Sequence, residues 1–218
     1  MIGREYLVSD AKCLKLDIPV DFTEMLLEAI ALRSNFYQYQ QGNDYRHQGW
    51  YSLPLYGLGD DKTLAWKGYG YTDGHIAARD MTWTRWAEYC PTTVKWLREI
   101  FPSNFYGRVR FMLLESGGFI APHNDSEHSI LEAVNVSLNN PNGCVWNWSD
   151  GTTLDFNPGD AYAMNLKYHH SINNNSDSDR YHLIVHHYDS TPEWKELMIR
   201  SMEQQNVQGN FLYSTELY

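Results

Sequence analysis

His123, Asn124 and Asp125 stand side by side in this chain, His170 follows Asp125 by 45 residues, and Arg180 follows His170 by ten. Two imidazoles and one carboxylate can occupy one triangular face of an octahedral iron, leaving the opposite face open for a chelating cosubstrate and for oxygen. A planar guanidinium grips a carboxylate through two parallel charge-assisted hydrogen bonds, so Arg180 adds an anchor for an acidic cosubstrate. His-x-Asp alone carries little weight, because nine histidines and 27 acidic residues in 218 positions make roughly one chance match expected. His187-Tyr188-Asp189 repeats the spacing, yet no histidine lies downstream to complete it. The combination of His123, Asp125, His170 and Arg180 is what carries the inference.

Such residues need a scaffold that joins distant parts of the chain. Arg108 to Leu114 reads as a strand and Ser116-Gly117-Gly118 as a turn before His123. Leu131 to Leu138, Cys144 to Trp148, Thr152 to Phe156 and Ala161 to Leu166 are strand-sized, separated by Asn139-Asn140-Pro141-Asn142-Gly143, Asp150-Gly151 and Asn157-Pro158-Gly159-Asp160. Arg180 to His187 alternates: Arg180, His182, Ile184 and His186 share one face, Tyr181, Leu183, Val185 and His187 the other. Short strands punctuated by turns predict two packed antiparallel sheets, a double-stranded β-helix or jelly roll of the cupin kind. His182, on the face of Arg180, is a candidate pocket residue.

The run Arg108 to Gly118 leading into Pro122-His123-Asn124-Asp125, with His170-Ser171-Ile172-Asn173-Asn174-Asn175-Ser176 and Arg180, resembles the aspartyl/asparaginyl β-hydroxylase family of Fe(II)- and 2-oxoglutarate-dependent oxygenases. The likeness spans roughly Cys90 to His187. It implies that His123, Asp125 and His170 are the iron ligands and that Arg180 binds the C5 carboxylate of 2-oxoglutarate. It also selects His170 over His169, whose register points to the opposite strand face. Asn135 stands about where some members place a histidine that touches the cosubstrate, Ala133 where they place an arginine, and Met112 where they place a serine. The implied reaction consumes O2 and 2-oxoglutarate, releases succinate and CO2, and hydroxylates an amino acid or an amino-acid side chain in a peptide. Two alternatives from other classes stay open: a metal-binding cupin enzyme without 2-oxoglutarate, and a non-catalytic jelly-roll binding module.

Composition bounds the rest. With 43% hydrophobic residues the chain can core a single domain: support over 1–105, a metal-binding jelly roll over 106–190 and a C-terminal extension over 191–218. Asp21-Phe22-Thr23-Glu24 has capping-box spacing before a helix with Met25, Leu26, Ala29, Ile30 and Leu32 on its apolar side. A second helix starts at Pro91, with Val94, Leu97, Ile100 and Phe101 on one face. Trp50 to Leu58 alternates like a strand, and Gly59 to His75 reads as a long loop, the candidate substrate lid. Cys13, Cys90 and Cys144, an odd number at wide spacing, fit reduced thiols. No signal-peptide pattern or membrane span is evident, so a cytoplasmic location is expected. A net charge of −10 argues against nucleic acid as a partner and mildly favours a positively charged substrate.

Overall fold

The computed structural model describes residues 4–39, 47–60, 66–188 and 190–214. The first part of the chain contributes β1 (Arg4–Val8), β2 (Cys13–Lys15), α1 (Phe22–Ala31), β3 (Tyr37–Gln38), β4 (His47–Gly57), α2 (Gly74–Arg79), β5 (Thr82–Trp83) and α3 (Pro91–Glu99). The second part begins with β6 (Tyr106–His123), β7 (Ile130–Ser137), β8 (Cys144–Trp148), β9 (Thr153–Leu154) and β10 (Ala161–Asn165). It continues with β11 (His170–Asn174), β12 (Arg180–His187), α4 (Pro192–Gln205) and β13 (Asn210–Ser214). All strand pairs are antiparallel, and the strands join into one curled sheet with the path β13-β1-β7-β12-β6-β11-β8-β9. This is the expected jelly roll.

β6 decides the architecture. The turn expected at Ser116-Gly117-Gly118 is instead a bend inside one 18-residue strand. Before the bend β6 pairs with β12, from Tyr106↔His187 to Leu114↔Arg180, and after it with β11, through Ile120↔Ile172 and His123↔His170. Between Trp50↔Leu114 and Gln48↔Phe119 the neighbouring β4 spends fewer residues than β6, which is a bulge. Gly117 takes φ +72°, and a Cβ on Gly118 would stand 2.8 Å from the backbone oxygens of both Gln48 and Glu115. Buried Asn174 holds the corner, its amide donating to the carbonyls of Leu114, Glu115 and Ser178. A strand that changes layer at a bulge carries His123 across the barrel from the rows that carry Arg180.

The alternation of β12 sorts the two cores. Tyr181, Leu183 and Val185 pack into the outer core with Met25 and Ala29 of α1, Trp96 and Leu97 of α3, and Leu197 and Met198 of α4. Ile184 faces the inner cluster of Trp50, Met112, Trp146, Phe156, Met164 and Ile172. His187, the histidine of the incomplete motif, is 1% exposed against the rings of Phe101 and Trp194; Asp189 lies outside the described residues.

The helices differ in detail from expectation. Asp21 occupies the N-cap of α1 but makes no side-chain cap hydrogen bond, and Ile30 is exposed while Met25 and Ala29 are buried. α3 starts at Pro91 as expected, yet Ile100 is exposed and Trp96 takes the buried place. Its free N–H groups are met by another helix: the Glu28 carboxylate of α1 accepts from Thr92 N, Thr93 N and Thr93 Oγ1. The C-terminal extension contains a helix, α4, capped by Thr191, whose hydroxyl accepts from Trp194 N at 3.0 Å. Thr152 to Phe156 shortens to the two residues of β9. Of Gly59 to His75, residues 61–65 lie outside the described part, Trp66–Tyr69 forms a 3-10 turn, and α2 begins at Gly74.

Candidate active site

The bend in β6 and the start of β11 place His123 and His170 as direct cross-strand partners, with ring centroids 4.4 Å apart. Asp125 sits just past the end of β6, its backbone N–H donating to Leu166 O at 3.0 Å. Asp125 Oδ1 is 3.6 Å from His123 Nε2, and Oδ2 is 4.0 Å from His170 Nε2. One ligand atom from each of the three lies within 4.8 Å of the others, an arrangement able to hold a metal ion.

Tautomer and charge suit that role. His123 Nδ1 faces Ala121 O at 2.8 Å, and His170 Nδ1 faces Tyr168 O at 3.0 Å. A ring nitrogen beside a carbonyl oxygen carries a proton and donates, which turns both Nε2 atoms toward Asp125, the outer-sphere pattern of metal-binding histidines. Burial, reinforced by His123, pushes His170 down to about 4, so its imidazole is neutral at neutral pH as ligation demands. Trp146 stacks on the His170 ring at 5.0 Å and 14° and fixes its plane. The neighbouring His169 is exposed.

Behind these residues lies a cavity of about 520 Å³, within the range of small-molecule sites. Arg180, Asn135, His182 and Ala133 all line it, as do His123, Asp125 and His170; Met112 is buried in the inner cluster. Asn135 is the cross-strand partner of Ile184 and is 2% exposed. Arg180 is 1% exposed, its guanidinium carbon 4.7 Å from the Phe156 ring centroid. Its Nη1 donates to His182 Nδ1 at 3.3 Å, and Nη2 has no hydrogen-bond partner among the described residues. Burial lowers the pKa of Arg180 and Cys144 opposes it, and among the described residues Arg180 forms no salt bridge. Because a guanidinium has no lone pair with which to accept, His182 Nδ1 must be the acceptor and its proton sits on Nε2. Burial, then Arg180 and Arg110, holds His182 well below its ordinary value and therefore neutral.

All three cysteines are free, and burial pushes Cys13 up to about 11 and Cys90 up to about 12, leaving them protonated. Sequence reasoning missed Tyr39, Trp50, Arg108 and Arg110 as cavity residues. The period-two pattern of Arg108 to Leu114 already put both arginines on the face opposite Val109, Phe111 and Leu113.

A jelly roll with a His-Asp-His cluster at its mouth and a buried arginine inside defines the 2-oxoglutarate and Fe(II) oxygenase class. Residues 21–190 match the family model described as Aspartyl/Asparaginyl beta-hydroxylase, and the chain belongs to that family. It is accordingly a hydroxylase that depends on Fe(II), 2-oxoglutarate and O2, which sets aside the two alternative classes. Among solved structures, a prolyl hydroxylase from Trichoplax adhaerens, in complex with a hypoxia inducible factor oxygen degradation domain peptide fragment, is 13% identical. That match covers 83% of this chain and 84% of the other at a TM-score of 0.51, a likeness of fold. A Pseudomonas putida prolyl-4-hydroxylase aligns at 11% identity over 84% of this chain and 95% of its own, with a TM-score of 0.44. No curated protein sequence matches the chain. Among the described residues no helix is long and apolar enough to cross a membrane.

Proposed function

We propose that His123, Asp125 and His170 hold the Fe(II), that Arg180 grips the C5 carboxylate of 2-oxoglutarate, and that Asn135 and His182 line the bed of the cosubstrate. The observation that carries this reading is Arg180, a buried guanidinium that lines the cavity of the His-Asp-His cluster and whose Nη2 has no hydrogen-bond partner among the described residues. An unpaired charge in a low-dielectric interior costs several kcal/mol. A dicarboxylate bound end-on offsets that cost and is oriented by it.

Iron bound at the cluster supplies the redox chemistry: O2 gives one oxygen atom to 2-oxoglutarate, which loses CO2 and becomes succinate, and the other to a C–H bond of the substrate, which becomes C–OH. The chain supplies everything else. The two imidazoles are presented through Nε2 with their Nδ1 protons held on Ala121 O and Tyr168 O. His182 donates through Nε2, and the Asn135 amide offers both a donor and an acceptor. Trp146, Met164 and Ile172 give the cavity an apolar wall that limits water.

The substrate is an amino acid, free or as a side chain in a peptide, and the peptide bound to the Trichoplax prolyl hydroxylase supports the second form. Both ends of the described chain complete the sheet, β1 pairing with β7 and β13 and β2 with β10, which supports one oxygenase unit over residues 1–218. Three free thiols support a cytoplasmic location. The test is succinate formation by purified protein given Fe(II), 2-oxoglutarate and O2, alone and with amino acids or peptides. Succinate stoichiometric with a product one oxygen atom heavier is expected. A protein that neither binds 2-oxoglutarate without oxygen nor forms succinate overturns the reading.

A further inference from the structure

The cavity holds more positive charge than one cosubstrate uses. Among the described residues its lining includes Lys67, Arg108, Arg110 and Arg180 against two acidic side chains, Asp125 and Glu132. Arg110 is 5% exposed, and its Nε and Nη1 have no hydrogen-bond partner among the described residues. Its guanidinium carbon lies 4.7 Å from the Tyr39 ring centroid, and Tyr39 meets Trp50 edge-on at 4.4 Å. Arg108 stands beside it on the same strand face. Burial and then Arg110 lower its pKa, and the only groups opposing them are the phenols of Tyr39 and Tyr188. Burial pushes the Tyr39 phenol up, yet Arg110 and Arg108 together bring it below its ordinary value. Two guanidiniums therefore share one pocket wall, and among the described residues neither forms a salt bridge with a carboxylate.

This charge is separate from the anchor of the cosubstrate. On the β6–β12 ladder Arg110 pairs with Ile184 while Arg180 pairs with Leu114. The two positions are four residues apart along the strand, roughly 13 Å. In the reading above the two carboxylates of 2-oxoglutarate go to the metal and to Arg180. Arg110 lines the same cavity as His123, Asp125 and His170, where a substrate must lie.

Resting on the 2-oxoglutarate reading above, we propose that Arg110, backed by Arg108, is the anion clamp for the substrate, and that the substrate carries a carboxylate. That carboxylate is either the α-carboxylate of a free amino acid or the side chain of an acidic residue in a peptide. The inference reverses the expectation drawn from net charge: the surface is acidic, but the cavity is built for an anion.

The experiment measures substrate-dependent succinate release with saturating Fe(II) and 2-oxoglutarate. The probes are free L-α-amino acids, their α-carboxamides, and N-acetylated, C-amidated peptides carrying a single Asp, Glu, Asn or Gln. Each accepted carboxylate is expected to outperform its amide counterpart by about thirty-fold or more, the scale of a stranded buried charge. Activity with free amino acids and none with capped peptides assigns the α-carboxylate; the reverse assigns the side chain. Arg110→Gln should raise the substrate KM by a similar factor while the affinity of the Zn(II)-loaded protein for 2-oxoglutarate, read by calorimetry, stays unchanged. Without ligand, Arg110→Met should raise Tm by about 2–4 °C, because it removes an unpaired buried charge; a merely structural arginine would lower it. Amides that perform as well as their acids, including the case in which neither stimulates turnover, overturn the proposal, and so does weakened 2-oxoglutarate binding in Arg110→Gln. The acid and amide comparison uses wild-type protein and stands even where a variant fails to fold. Wild-type protein that neither binds 2-oxoglutarate nor forms succinate instead overturns the cosubstrate reading itself.

Discussion

Arg180→Met is the sharpest probe of the cosubstrate site because it should move two measurements in opposite directions. Arg180 is 1% exposed, one nitrogen reaching His182 at 3.3 Å and another having no hydrogen-bond partner among the described residues. Methionine fills much of the same space and removes the charge, so the ligand-free protein should be as stable as wild type or more stable. Binding should suffer. Losing one side of a desolvated bidentate ion pair costs about 2–5 kcal/mol, which corresponds to roughly a thirty-fold to several-thousand-fold loss of 2-oxoglutarate affinity. Arg180→Lys should recover only part of it, since an ammonium keeps the charge but not the planar fork. The assay is succinate formation against 2-oxoglutarate concentration for the three proteins with metal saturated, alongside urea unfolding of each without ligand. Three coincident succinate curves would refute the reasoning, whatever the unfolding data show.

Asp125→Ala should weaken metal binding in calorimetry and abolish hydroxylation, because only the two imidazoles remain; undiminished hydroxylation would remove Asp125 from the ligand set. His170 sits at about 4 against 6.5 in an open chain, so between these values the unfolded chain binds more protons than the folded one. Stability of the metal-free protein should therefore rise with pH across that window and be lost as pH falls through it, by on the order of 3 kcal/mol. His170→Asn should flatten this slope in urea unfolding, and an unchanged slope would contradict the assignment. Gly118→Ala drives a methyl group against two backbone oxygens 2.8 Å away. It should cost about 1–3 kcal/mol and lower metal affinity by re-aiming His123. Gly117→Ala has open space and only a left-handed φ to overcome, about 1–2 kcal/mol, so equal losses in urea unfolding would show that the close approach at Gly118 is not what forms the bend.

What could be read from the chain was whatever depends on residue type and local period. β12 ran from Arg180 to His187 as its alternation required, because on a pleated strand period two alone decides which residues share a face. The cluster of His123, Asp125 and His170 was legible because few other combinations of nine histidines with the acids left an arginine in register behind them. Partner-dependent features were not legible. Ser116-Gly117-Gly118 has the composition of a turn, and only pairing with β4, β12 and β11 on either side makes it a bend within one strand. Ile30 and Ile100 are exposed and Trp96 is buried because a helix commits the face that fits the sheet beneath it, which need not be its most apolar one. The sign of the cavity is the strongest case. Net charge sums over a surface, whereas a binding site responds to the few charges inside a low-dielectric wall. Only the tertiary structure put Arg108, Arg110 and Arg180 together in one cavity.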